Sequence, residues 1–118
     1  MIKKNKTPYK YERVSAEIKK VVSEVVMNEL LDERVLGKVE VNDVVTTHDF
    51  SHCKVFVSVI NGDEKEVLKG LKNSVGYVRH AIFDSVDIRK VPEVVFLIDK
   101  TKENYENILK LLDEIKKS

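Results

Sequence analysis

Seven aliphatic side chains recur at steps of three and four along one stretch: Val14, Ile18, Val21, Val22, Val25, Val26 and Leu30. That spacing predicts one amphipathic helix over residues 9–31. Thr7 is placed to cap its start, with Pro8 at the first helical position. Five of the seven are valine, whose branched side chain lowers helix propensity. Such a helix needs a packed apolar partner to persist in water. The rest of the chain must supply the face that covers it.

A change of period supplies that face. Residues 38–47 read as a strand, with Val39 and Val41 alternating and Val44-Val45 out of phase behind them, so a bulge is expected at Asn42-Asp43. Thr47-His48-Asp49-Phe50-Ser51 forms the turn. Residues 54–60 are the second strand, with Val55, Val57 and Val59 on one face. A connection this short implies antiparallel pairing.

Asn61-Gly62-Asp63 ends that strand and opens a helix carrying Val67, Leu68 and Leu71. A second stripe follows, of Val75, Val78, Ala81, Ile82 and Val86, with Ser74-Val75-Gly76 between the two. A glycine there weakens a continuous helix by about 1 kcal/mol relative to alanine and marks a kink. Val94 to Ile98 is nearly all apolar, which predicts a strand that is central or buried on both faces. Thr101 caps a last helix bearing Ile108, Leu111, Leu112 and Ile115. The order α-β-β-α-kink-α-β-α makes this an α+β fold, helices layered on a small sheet.

The 118 residues are enough for one domain. Residues 1–7 read as a flexible basic arm and 8–118 as the domain. A single cysteine, Cys53, excludes an internal disulfide and a Cys-rich zinc module. No apolar run reaches the ~18 to 20 residues of a membrane span, and no secretory signal opens the chain, so a cytoplasmic location is expected.

Catalytic signatures are sparse. No phosphate loop, dinucleotide fingerprint or nucleophile elbow occurs. Lys72-Asn73-Ser74 is too little for an acylphosphatase-type site. His48, His52 and Cys53 fall short of a four-ligand zinc set, and the turn they occupy reads more simply as surface with Cys53 in the core. Asp99 reads as a strand-end cap for the last helix. No enzyme activity, metal or cofactor is expected.

Charge is more informative. The whole chain is +1, but residues 1–20 hold seven cations (Lys3, Lys4, Lys6, Lys10, Arg13, Lys19, Lys20) against Glu12 and Glu17. That segment is +5, so the remainder is −4. A basic start on a mildly acidic body points to a directional contact with a polyanion, or else to a solvated tail. A second basic group, including Arg79, Arg89 and Lys90, follows the kink. Backbone N–H groups at a helix start bind phosphate, so Ser74, Gly76 and Arg79 are candidates there. A break made purely for packing is the competing reading.

Five segments in order carry a family resemblance. Arg13-Val14 with Ile18-Lys19 resembles an Arg-Val-x-x-x-Ile-Arg/Lys opening, and Leu31-Asp32-Glu33-Arg34-Val35 an Asp-Pro-Arg segment, with Glu33 in place of proline. His48-Asp49-Phe50-Ser51-His52-Cys53-Lys54-Val55-Phe56-Val57-Ser58 resembles Pro-Asp-Leu-Ser-x-Ala-x-Val-Tyr-Val-Ser. Leu71 to Arg79 resembles Leu-x-x-Ala-x-Gly-x-Ile/Leu-Arg, and Ile88 to Asp99 resembles Leu-Arg-x-x-Pro-x-Leu-x-Phe-x-x-Asp. Over nearly its whole length the chain resembles the ribosome-binding factor A family.

The resemblance implies a KH-like fold of the second type on a three-stranded mixed sheet, with Ser74-Val75-Gly76 as the family's helix kink. It implies an assembly factor, a monomer that binds the free small (30S) ribosomal subunit and 16S rRNA. Late maturation of that rRNA, including its 5′ end region, and support of growth in the cold are implied with it. Phosphate contacts are then expected from Lys3, Lys4, Lys6, Lys10 and Arg13 in the arm, and from Arg79, Arg89 and Lys90 after the kink. Ser74 and Gly76 would form the close-approach turn. The competing reading is a protein-interaction or regulatory module, insensitive to salt and needing no nucleic acid. It predicts an exposed apolar patch or an open sheet edge.

Overall fold

A computed structural model describes residues 6–117, with side chains from Lys10 to Lys116. Helix α1 (Lys6–Glu24) runs into a π-helical turn, Val25–Glu29. It begins at Lys6, two residues before the Pro8 start that a Thr7 cap predicts, and takes in Lys6 and Thr7 of the expected arm. Lys3 and Lys4 lie outside the described residues, as does the side chain of Lys6.

The π turn has a packing reason. A regular helix would bring Glu29 round to the core side beneath Val25. The wider turn instead closes with the Leu30 N–H donating to the Val25 carbonyl at 3.1 Å. That carries Leu30 into the core beside Val25 and Val26 and leaves Glu29 exposed.

Strands β1 (Val39–Thr46) and β2 (His52–Val59) pair antiparallel, with the register slipping between Val41 and Asp43, where the phase change foretold a bulge. After the crossover through α2 (Glu64–Asn73) and α3 (Val75–Ser85), β3 (Glu93–Ile98) pairs parallel to β2. The sheet order is β1-β2-β3 and the sheet is mixed. Asp63 caps α2 by accepting the Lys65 N–H at 2.9 Å.

One face of the sheet, with Cys53, Val55, Val57, Val94 and Phe96, is buried. Above it lie Val14, Ile18 and Val22 of α1, Val67 and Leu71 of α2, and Val78 and Ile82 of α3. The valine stripe of α1 thus finds the cover it needs.

Two expectations are corrected. β3 is an edge strand, not a central one, and its outer residues Val95 and Leu97 are 41% and 37% exposed. An all-apolar strand signals two covered faces only if something lies on both, and α1, α2 and α3 all pack on one. Helix α4 (Thr101–Lys117) is not layered on the sheet; all its described side chains are exposed, including Ile108, Leu111, Leu112 and Ile115. Asp99 does what was expected of it, accepting the Thr101 N–H at 2.9 Å at the strand-to-helix junction.

The kink lies between α2 and α3, but Ser74 carries it rather than Gly76. Ser74 departs from helix geometry at φ −101°, ψ 3°, and its hydroxyl donates back to the Gly70 carbonyl at 2.8 Å. A Cβ on Gly76 would meet nothing within 4 Å. The glycine that packing requires is Gly70: a Cβ there would lie 2.7 Å from Val35 Cγ2 and 3.0 Å from Arg34 Cβ. Residues 32–36, which pack on Gly70 of α2, are stiffened by a two-pronged pair within the segment. Arg34 Nε and Nη2 donate to the two carboxylate oxygens of Asp32 at 3.0 and 2.7 Å. These bonds hold the Asp32 carboxyl down to about 2.

Candidate nucleic-acid interface

Three segments distant in sequence converge on a cleft of about 1280 Å³. Helix α1 contributes Lys10, Arg13 and Val14. The β1–β2 turn contributes Asp49, Phe50 and Ser51, and the α3–β3 connection contributes Asp87, Ile88, Arg89 and Lys90. Four cations therefore face two carboxylates across a shared floor of Val14, Phe50 and Ile88. Lys10, Arg89 and Lys90 are exposed. Arg13 lies 3.6 Å from Glu17 one turn further along α1, with each side chain about half in water, so the pair gives up little when Arg13 turns to another anion.

The acidic member Asp49 is committed to its own turn. Its Oδ1 accepts from the Thr47 hydroxyl at 2.8 Å, the Ser51 N–H at 3.0 Å and the Ser51 hydroxyl at 2.7 Å. These bonds, those from Ser51 foremost, hold the carboxyl down to about 2. Its Oδ1 is engaged within the turn, and with Asp87 counted as well the cleft still holds four cations against two carboxylates.

Arg79 is half-buried and faces the protein. Its Nε donates to the Pro92 carbonyl at 3.1 Å and its Nη2 to the Val91 carbonyl at 3.0 Å. It ties α3 to the connection that holds Arg89 and Lys90, so its geometry positions the cleft wall. Ser74 and Gly76 do not line the cleft. A separate groove of about 330 Å³ between α1 and α3 mixes Glu24, Glu29 and Asp84 with Lys20, Tyr77 and His80. There the Tyr77 hydroxyl donates to Glu29 at 3.1 Å, and His80 lies 3.3 Å from Asp84. The structure thus brings Lys10 and Arg13 to Arg89 and Lys90, and leaves the kink elsewhere.

Sequence reasoning missed the ring of Tyr11. It stacks on His48, centroids 4.1 Å apart and planes 14° apart, while Phe50 tilts against it at 5.7 Å. The Tyr11 hydroxyl donates to the Thr46 carbonyl and fixes α1 to the end of β1. No periodicity signals a stack between a helix and a turn. Among the described residues no three His, Cys, Asp or Glu side chains converge to hold a metal ion. Cys53 is fully buried, and burial pushes its thiol up to about 11, far from a poised nucleophile. No described helix is long and apolar enough to cross a membrane.

Comparison with known proteins agrees over this frame. The family model for ribosome-binding factor A matches residues 10–112. A ribosome-binding factor A from Microcystis aeruginosa is 46% identical over 107 residues, covering 88% of this chain and 84% of that relative. The crystal structure of ribosome-binding factor A from Thermus thermophilus superposes with a TM-score of 0.67 at 24% identity, covering 75% of this chain and 93% of that one. A Thermus thermophilus homology model fitted into a cryo-EM map of a 30S complex superposes at 0.62, with 23% identity over 75% of this chain and 93% of that one.

Proposed function

The chain belongs to the ribosome-binding factor A family, and from that premise we propose that it is a non-catalytic assembly factor that binds the free small ribosomal subunit through the basic cleft. The observation that carries this reading is the convergence of Lys10 and Arg13 with Arg89 and Lys90 in one cleft. Cations from segments some eighty residues apart form one electropositive mouth on a chain whose net charge is only +1. A phosphate backbone is the ligand such a mouth fits, through shape and charge more than base sequence. The name and the 30S map of a relative support the same partner.

In this reading the RNA is 16S rRNA, and binding assists its late maturation, including the 5′ end region, with support of growth in the cold. Lys3, Lys4 and Lys6 add phosphate contacts of their own in this reading. Arg79 acts by holding the wall that presents Arg89 and Lys90. Ser74 and Gly76 form the close-approach turn at the kink in this reading. The protein works as a cytoplasmic monomer.

The interaction-module reading has an observation of its own: the outer sheet face exposes Val45, Val95 and Leu97, and α4 exposes an apolar stripe. Salt separates the two. Co-sedimentation with isolated small subunits and with intact ribosomes, across a potassium chloride series, tests the proposal. Preference for free small subunits that weakens steeply with salt is expected. Salt-insensitive binding favours the interaction module, and no binding at low salt by folded protein overturns the proposal.

A further inference from the structure

We propose that Tyr11, His48 and Phe50 form a stacking site for one unpaired nucleobase at the rim of the basic cleft, so that the site takes single-stranded RNA rather than duplex. The inference rests on the RNA reading of the cleft and adds the form of RNA that fits it.

Three observations carry it. First, His48 is an exposed ring already lying flat on Tyr11, at 4.1 Å and 14°. Phe50, by contrast, packs against the core, so covering the core accounts for Phe50 and not for His48. Second, the platform is pre-formed. Phe50 stands at φ 59°, the only described non-glycine residue with a positive φ, a conformation that is costly for a side chain with a Cβ. The turn over-determines it: Asp49 accepts from Thr47 and Ser51 side chains, and Thr47 Oγ1 accepts the N–H groups of Ser51 and His52 at 3.1 and 3.0 Å. Strain held in place this way is the mark of a functional turn. Third, the rings adjoin the cations. Phe50 lines the cleft together with Lys10 and Arg13, which lie on either side of Tyr11 along α1.

A π face beside a phosphate-binding groove is how single strands are held without sequence choice. Duplex RNA keeps its bases stacked inward and offers none to the rings.

The test uses the intact protein with a short oligoadenylate and an RNA duplex of equal length, read by fluorescence anisotropy over a salt series. The wild type is expected to bind the single strand more tightly than the duplex. His48→Ala is expected to lose about tenfold on the single strand with its salt slope unchanged, and His48→Phe to retain wild-type affinity. Arg89→Gln is expected to weaken both RNAs and flatten the slope. If His48→Ala binds as wild type while Arg89→Gln weakens, stacking is overturned and the RNA reading stands. If His48→Phe fails as badly as His48→Ala, the ring's π face is not what matters and the proposal falls. If the wild type binds neither RNA at low salt, both readings fall.

Discussion

Arg79 clamps Pro92: its Nε donates to the Pro92 carbonyl at 3.1 Å, while Nη2 of the same guanidinium holds the neighbouring Val91 carbonyl at 3.0 Å. One planar fork thus spans from α3 to the connection leading into β3. Lysine has a single point charge and cannot hold both carbonyls in that geometry. Arg79→Lys is therefore expected to cost about 2 kcal/mol, measured as a lower urea midpoint with unchanged m-value. Subunit binding by this variant should fall while its salt slope stays at the wild-type value, because no phosphate-facing charge is lost. An undiminished midpoint contradicts the clamp.

The two glycines on either side of the kink should respond in opposite ways. Gly70→Ala puts a methyl 2.7 Å from Val35 Cγ2, and an overpacked contact of this kind costs about 1–3 kcal/mol. Gly76→Ala meets open space inside a helix and should stabilise by about 0.5–1 kcal/mol. Thermal unfolding of the two variants measures both. Equal destabilisation would mean that Gly76 serves the backbone in a way its surroundings do not show.

Asp49 makes a pH prediction. Its carboxyl is held down to about 2 by the Ser51 and Thr47 bonds. A carboxyl depressed in the folded state stabilises that state above its ordinary value, about 3.9. The stabilisation is lost as pH falls through the folded value. The stability difference between wild type and Asp49→Asn should therefore be flat from about pH 5 upward and shrink as the pH falls toward 2. Urea unfolding at stepped pH reads it, and a difference still full at pH 2 contradicts the turn's hydrogen bonding.

Helix α4 buries none of its described side chains. A protein cut after Lys100 should unfold within about 0.5 kcal/mol of the full chain. A larger loss would show that the apolar stripe from Tyr105 to Ile115 rests on the domain in solution.

These contrasts trace what the chain's pattern discloses. The alternation Val55-Val57-Val59 reports a buried sheet face because one covered face imposes a period of two. The phase slip at Asn42-Asp43 reports the bulge for the same reason, and the break near Ser74 shows as an interrupted stripe. β3 misleads because Val95 and Leu97 are apolar on a face that nothing covers. α4 misleads likewise, since amphipathicity announces a stripe and not its partner. The cleft was half legible: charge counting picks out Lys10, Arg13, Arg89 and Lys90, but only the fold joins them. Arg79 shows the limit most plainly. Its type and position suit a phosphate, and its hydrogen bonds go to backbone carbonyls twelve and thirteen residues along the chain.

The central claim is that charge in the cleft binds the small subunit. Wild-type protein and the double variant Lys10→Gln/Arg89→Gln, both checked as folded, would be co-sedimented with isolated small subunits across a salt series. Removal of two phosphate contacts should weaken binding and make the slope of log affinity against log salt shallower by about two. Identical affinity and identical slope in the two proteins would contradict the account.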